Sequence, residues 1–387
     1  MPNQWNRVLD RRSLVRHAAG AGACLTAGAA AAAETPAGGW FDAHKLGAKG
    51  DGRADDTQPL QAALDAAGES SGAVFVPPGV YLAAELHMRR NTALVGIPAW
   101  DYRRGRQGGS VIRLIDESAS CLLNITGAPG ITIEGLTLEG RNLGKGVHGV
   151  FLNKPDPGKE EDTFRIERSK VYGFTGTGVM LQHVWCFSIR HCMVAYNGGE
   201  GVQCLGWDGF IVDNWLSGNA GNGWDGTSSS SVTMTGNRIE WNGKAGILLA
   251  VGSHYNITGN YIDRSGTSGI AVVAVAKRRS QHVSVSGNLI YRSGKLAQGE
   301  TAESSQLRLE SASGVTCVGN TMVAGRDDGN RGLWSPSYAI LCKGLENCVV
   351  KDNVLHDGAL KQLILDAGGH GDGFIQKDNP GRLLQVG

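Results

Sequence analysis

Four carboxylates stand where this sequence could break bonds: Asp225, Asp208, Glu200 and Glu240. Two of them sit in matching motifs, Trp224-Asp225-Gly226-Thr227 and Trp207-Asp208-Gly209. Two carboxyl groups roughly 5–9.5 Å apart can split a glycosidic bond. One protonates the leaving oxygen while the other acts as nucleophile or activates water, around an oxocarbenium-like transition state. Asp225 is the leading candidate, with Asp208, Glu200 and, at the edge of the next coil, Glu240 as its partners. Trp207 and Trp224 offer flat apolar surfaces for sugar rings, although Trp224 falls at a position that equally suits a core. Residues this far apart meet only if the chain returns on itself with a fixed period.

Such a period exists. Val-Thr-Met-Thr-Gly-Asn237-Arg-Ile, Tyr-Asn-Ile-Thr-Gly-Asn260-Tyr-Ile and Val-Ser-Val-Ser-Gly-Asn288-Leu-Ile are one unit repeated. Equivalent positions are Leu136, Ser169, Cys192, Asn214, Asn237, Asn260, Asn288, Asn320 and Asn353, at spacings from 22 to 33 in which the extra residues mark loops. The residues three before and two after each marker are apolar. Nine after it stands Gly178, Gly201, Gly223, Gly246 or Gly269, opening a third short alternating segment. Each unit therefore holds three strands. A unit of 22 or 23 residues cannot bury its apolar face alone, whereas stacking gives a continuous core. The fold expected is all-β, a parallel β-helix solenoid of about nine or more coils. A leucine-rich repeat has a similar length, but its Leu-rich consensus and helix are missing. Asparagines at one register position fit a stacked ladder whose amides satisfy backbone groups.

Upstream, Leu46-Gly-Ala-Lys-Gly-Asp51-Gly-Arg-Ala-Asp55-Asp56-Thr57, an apolar helix Leu60 to Ala67, and Val74-Phe-Val-Pro77-Pro78-Gly79-Val-Tyr81 resemble the amino-terminal signature of the pectate-lyase-like right-handed β-helix superfamily. The likeness includes the branch holding rhamnogalacturonase-like and epimerase-like domains. The coil pattern carries it to about residue 358. Asp56 or Thr57 can cap the helix, with Pro59 in its first turn, and the helix would plug the open end of the solenoid. The acidic trio Asp51, Asp55 and Asp56 then belongs to the cap rather than to a metal site. The resemblance also implies that the asparagine turn joins the second and third sheets. The Gly-led segment is then the first sheet, where family members bind sugar chains. The expected division is 1–33 export signal, 34–115 cap and first coils, 116–360 β-helix repeats, and 361–387 carboxy-terminal cap or tail.

Alternation along that segment gives its outward columns. One runs Met180, Gln203, Asp225, Leu248, Ala271, Arg308. The other runs Gln182, Leu205, Thr227, Ala250, Val273, Glu310. Gln203, Arg308 and Glu310 thus join the candidate binding residues, with His183 and His254 in loops leaving the first sheet. Asp225 and Arg308 lie three coils apart, about 14 Å, so they suit separate subsites. Loops at 154–163, 294–306 and 325–337 could wall a cleft over this sheet. An alternative chemistry is a polysaccharide lyase or C5-epimerase acting on a uronic polymer, with a basic residue taking the C5 proton. Lys277, Arg278 and Arg308 are its candidates, and calcium enters only in that case. A non-catalytic glycan-binding solenoid is the third reading. Gly369-His370-Gly371 is similar to a polygalacturonase element but lies past the last clear coil, and the companion motifs are absent.

Composition sets the remaining bounds. Glycine makes up 58 of 387 residues, which disfavours long helices, and a net charge of +1 gives no electrostatic grip on nucleic acid or anionic membrane. Arg11-Arg12 ahead of an apolar Ala/Gly run ending at Ala33 reads as a twin-arginine export signal, which places the mature protein in the periplasm or outside the cell. The eight cysteines do not read as a disulfide framework, although Cys186 with Cys192, or Cys342 with Cys348, could pair after export. No metal-type spacing occurs. The expected partner is a polysaccharide or oligosaccharide, bound without a cofactor by a monomer or homotrimer.

Overall fold

The structure is a computed structural model that describes residues 39–102, 108–294, 300–325 and 335–385. The expected signal at 1–33 and the tips of the loops at 294–306 and 325–337 lie outside the described residues.

Within one coil the chain turns three corners, and every strand pairs in parallel with its equivalent in the next coil. The inward residues of the second face form one column: Ile166, Ile189, Ile211, Met234, Ile257, Val285, Cys317 and Val350. On the third face Val171, Val194, Leu216, Ile239, Ile262, Ile290 and Met322 do the same. All of these are buried and form one continuous core, as β-branched and aliphatic side chains stacked at the coil spacing must. The first and second faces are hydrogen-bonded as one 22-stranded sheet, and the third is an 11-stranded sheet. They merge because Val179–Arg190 and Val202–Val212 run around the corner without a break, with a register shift between Gln182 and Val184.

The corners are made by left-handed residues. Immediately before the marker stand Arg168, His191, Asp213, Gly236, Gly259, Gly287, Gly319 and Asp352, with φ from 48° to 69°. Turning there aims the marker side chain inward. Asn214 Nδ2 and the Asn214 backbone N–H both donate to Asn237 Oδ1 (3.1 and 3.0 Å), and the pattern repeats through Asn260, Asn288, Asn320 and Asn353 to Asn379. Each amide also donates to a carbonyl of the preceding coil, as Asn237 does to Ile211. A second ladder, Asn197 to Asn219 to Asn242, occupies another corner. The Gly-led segments are glycine for want of space: a Cβ on Gly201, Gly223 or Gly246 would lie 2.6–2.7 Å from a carbonyl oxygen of the next coil.

The helix Thr57–Ser70 buries Leu60, Ala63, Leu64 and Ala67 against the first strands. Asp56 precedes it but makes no side-chain cap. Its carboxylate instead accepts the backbone N–H groups of Lys49 (2.5 Å) and Gly50 (3.0 Å), and Asp51 and Asp55 likewise bond nearby N–H groups. The coil pattern extends past residue 360. Gln362–Asp366 pairs with Tyr338–Lys343, Ile375–Lys377 pairs with Val349–Lys351, and Asn379 continues the ladder. His370 is part of that closing coil, bonded to Asp366 Oδ1 and to the Leu345 N–H.

Candidate active site on the first face

Cα register aligns Met180, Gln203, Asp225, Leu248, Ala271 and Arg308 in one column, and Gln182 with Leu205 and Ala250 with Val273 and Glu310 in the other. The Trp224–Asp225 strand is only two residues long, because Gly223 precedes it and the chain turns at Gly226. That turn is tied by Asp225 itself. Its Oδ1 accepts the Thr227 N–H (3.0 Å) and hydroxyl (2.6 Å), and its Oδ2 accepts Asn222 Nδ2 (3.2 Å). Three donors hold the carboxylate in one orientation at 8% exposure.

Asn222 joins the two carboxylates. Its Oδ1 accepts the Ala245 N–H (3.0 Å), which turns the amide so that its NH2 faces both Asp225 and Glu200 Oε1, the latter 3.5 Å away. The two carboxylates therefore share one nitrogen, so the oxygens it touches are no farther apart than those 3.2 and 3.5 Å contacts laid end to end. Among the described residues Glu200 is held only by that long contact and by Lys244 Nζ at 3.8 Å. Beside the pair lies a depression of about 250 Å³ with Met180, Gln182, Gln203, Leu205, Thr227 and Ser228 on its lining. Its polar groups are amides and hydroxyls. Asn222 escaped sequence reasoning, although it stands eight residues after its marker, as Glu200 does one coil earlier, and that shared register was readable.

The structure separates the other candidates from this pair. Asp208 sits at the first corner with φ 59°, and its carboxylate accepts Trp185 Nε1 (3.0 Å) on the second-face side. Trp207-Asp208-Gly209 turns the corner, so the expected convergence of the two Trp-Asp-Gly elements does not occur. Trp207 is half-buried, 6.4 Å from Trp185 between ring centroids. Trp224 is fully buried, nearly parallel to Phe187 at 6.5 Å; it is core and no sugar platform. Glu240 belongs to the third face, 4% exposed, where it accepts Arg238 Nε (2.7 Å) and Trp215 Nε1 (3.0 Å), and so leaves the site.

His183 Nδ1 lies 2.6 Å from the Lys154 carbonyl, which fixes its ring against the 154–163 loop. That loop is itself closed by Lys154 Nζ on Asp162 (2.8 Å). His254 is exposed at the corner, 4.9 Å from the His282 ring. Lys277 and Arg278 occupy an exposed turn bridged between Val275 and Arg278. Arg308 is engaged: its guanidinium grips Glu310 Oε2 (2.9 and 2.5 Å) and Lys343 holds Oε1 (3.1 Å). Burial works to raise the Glu310 carboxyl, but the bonds and charges of Arg308 and Lys343 outweigh it and hold it below its ordinary value. All seven described cysteines are free. Cys342 and Cys348 lie in different segments of their coil and are both buried. Among the described residues no three His, Cys, Asp or Glu side chains converge as metal ligands.

Comparison with known proteins agrees with this architecture. A family model for a right-handed β-helix region matches residues 148–298, and one described as rhamnogalacturonase A/epimerase, pectate lyase-like, matches residues 40–108. Mannuronan C5-epimerase AlgE6 of Azotobacter vinelandii is 29% identical over 197 residues, 46% of this chain and 21% of that protein, so the chain spans about a fifth of that relative. The solved A-module of the same epimerase overlays with a TM-score of 0.63 at 21% identity, covering 87% of this chain and 98% of that one. DFA-IIIase from Arthrobacter chlorophenolicus A6 overlays with a TM-score of 0.65 at 14% identity, covering 88% of this chain and 94% of that one. The signature at 46–81, the stacked coils and both family matches converge: the chain belongs to the pectate-lyase-like right-handed β-helix superfamily.

Proposed function

We propose that this chain is a carbohydrate-active β-helix protein that cleaves or transfers a glycosidic bond of a polysaccharide lying along its first face. The observation that carries the reading is the shared Asn222 amide, which contacts both Glu200 and Asp225 at the outward column of the first face. Asp225, fixed by three donors, is the positioned carboxylate that attacks the anomeric carbon or activates water. Glu200, loosely held and more exposed, is free to swing and give its proton to the leaving oxygen. Gln182, Gln203 and Thr227 offer donors and acceptors for sugar hydroxyls and no charge for a uronate, which favours a neutral chain.

The names of the curated relatives favour a second reading, C5-epimerisation of a uronic polymer, beside which stands elimination from such a polymer by the same kind of base. In this chain that chemistry would draw on Lys277 or Arg278, since Arg308 is committed to Glu310. Purified protein incubated with neutral and uronic polysaccharides separates the two. New reducing ends from a neutral polymer, abolished by Asp225→Asn, support the paired carboxylates. An unsaturated product absorbing in the ultraviolet, or inverted C5 protons by NMR, transfers the activity to the second reading. Export is part of the same proposal: Arg11→Lys with Arg12→Lys should leave the protein in the cytoplasmic fraction.

A further inference from the structure

A depression lies on the second face, around the corner from the carboxylate pair. It is a groove of about 430 Å³ lined by Arg165, Ser188, Arg190, Asp208 and Phe210 among others. Register sets its order: Arg165, Ser188 and Phe210 occupy one outward column on three successive coils, with Glu167, Arg190 and Val212 beside them. Phe210 is a large apolar side chain left 49% exposed on a face whose next outward positions are Thr233 and Asn256. The Arg190 guanidinium stands 5.5 Å from its ring centroid and Nε donates to Ser188 Oγ (2.8 Å), so Arg190 is held against one side of the ring. Arg165 is exposed, and neither arginine has a carboxylate within ion-pair distance among the described residues. Asp208, the acid at the corner end of the groove, is turned to Trp185 Nε1 instead.

We propose that this groove is a second carbohydrate-binding site, separate from the first face, that takes a carboxylate-bearing sugar unit. Arg165 and Phe210 are two coil steps apart, about 9.6 Å between backbones. An arginine side chain reaches across most of that gap. A uronate ring stacked on the open side of Phe210 would therefore present its carboxylate to Arg165 and Arg190 above Ser188. Aromatic stacking supplies shape-tolerant contact, and two unpaired guanidiniums supply the charge that distinguishes a uronate from a neutral sugar. The site is independent of the reaction assigned to the first face.

The test is titration calorimetry of the full chain with tetra-mannuronate and with neutral mannotetraose, on the parent protein and on Phe210→Ala, Arg165→Ala and Gln203→Ala. The expected result is binding of the uronic tetrasaccharide, weakened about tenfold or more by either second-face substitution and weakened by added salt, with Gln203→Ala unchanged. Phe210 and Arg165 are exposed, so both variants should keep the parent melting temperature; Arg165→Lys, which keeps charge but loses the fork, should fall between. Mannotetraose binding that Phe210→Ala or Arg165→Ala weakens as much as they weaken binding of the uronic sugar, or loss only in Gln203→Ala, or no binding of the uronic tetrasaccharide, would overturn the proposal.

Discussion

Replacing Asn260 by Ala removes one rung from the middle of the longer asparagine ladder, and the cost can be worked from its bonds. Asn260 Oδ1 accepts the Asn237 backbone N–H (3.0 Å) and Asn237 Nδ2 (2.9 Å), while its Nδ2 donates to the Met234 carbonyl (2.9 Å) and Asn288 Oδ1 (3.0 Å). Asn237 Nδ2 keeps Ile211 O, and Asn288 Oδ1 keeps the Asn260 N–H. One group is left bare in a buried corner, the Asn237 N–H; the Met234 carbonyl loses the amide but lies in a strand paired with both neighbouring coils. At about 1–3 kcal/mol for an orphaned buried group, the variant should lose about that much. Urea unfolding measures it, with Asn256→Ala as the control. Asn256 is exposed and its side chain bonds only Thr258, so that change should stay within about 0.5 kcal/mol. Amide exchange should show Asn237 as the N–H that opens most. A loss below about 1 kcal/mol for Asn260→Ala, or an Asn237 amide as protected as in the parent, would refute the view that the ladder satisfies the corners.

Three other outcomes follow from the geometry. Asp225→Asn and Glu200→Gln should each lower turnover on the responsive polysaccharide by about 10²–10⁴-fold while leaving the unfolding midpoint of the Glu200 variant near the parent value. Glu310 is depressed in the folded state, so its contribution to stability is fully present above its ordinary value of 4.5 and is lost as pH falls through the lower folded value. Urea midpoints of the parent and Glu310→Gln should accordingly differ at neutral pH and converge in acid. Iodoacetamide should label Cys186 first among the seven described thiols, because the other six are buried; peptide mapping after short exposure reads the order.

The columns of this fold were legible because one residue per coil recurs at each register position, and stacking converts recurrence into contact. Ile189, Ile211, Met234 and Ile257 align by spacing from their markers, and they pair in that register. Corners were harder. Asp208 and Asp225 share a motif, but the first lies where the strand bends through a left-handed φ and the second where a glycine ends a two-residue strand, so identical neighbours lead the side chains apart. Glu240 shows a different gap: spacing gives its distance from a marker, but on the third face a side chain can fold back onto Arg238 and Trp215 and vanish from the surface. Asn222 is not marked by its residue type, because a neutral amide that orients two acids has no charge to announce it.

A wall whose every corner closes by the same rule behaves as a ruler. Since Asn237 and Asn260 are joined by identical bonds to identical partners, the 23 residues that separate them could be duplicated or cut out and the neighbouring rungs would still meet in phase. The surface would then grow or shrink by one strand width of about 4.8 Å, and the span of polymer it can accommodate would change by the same increment.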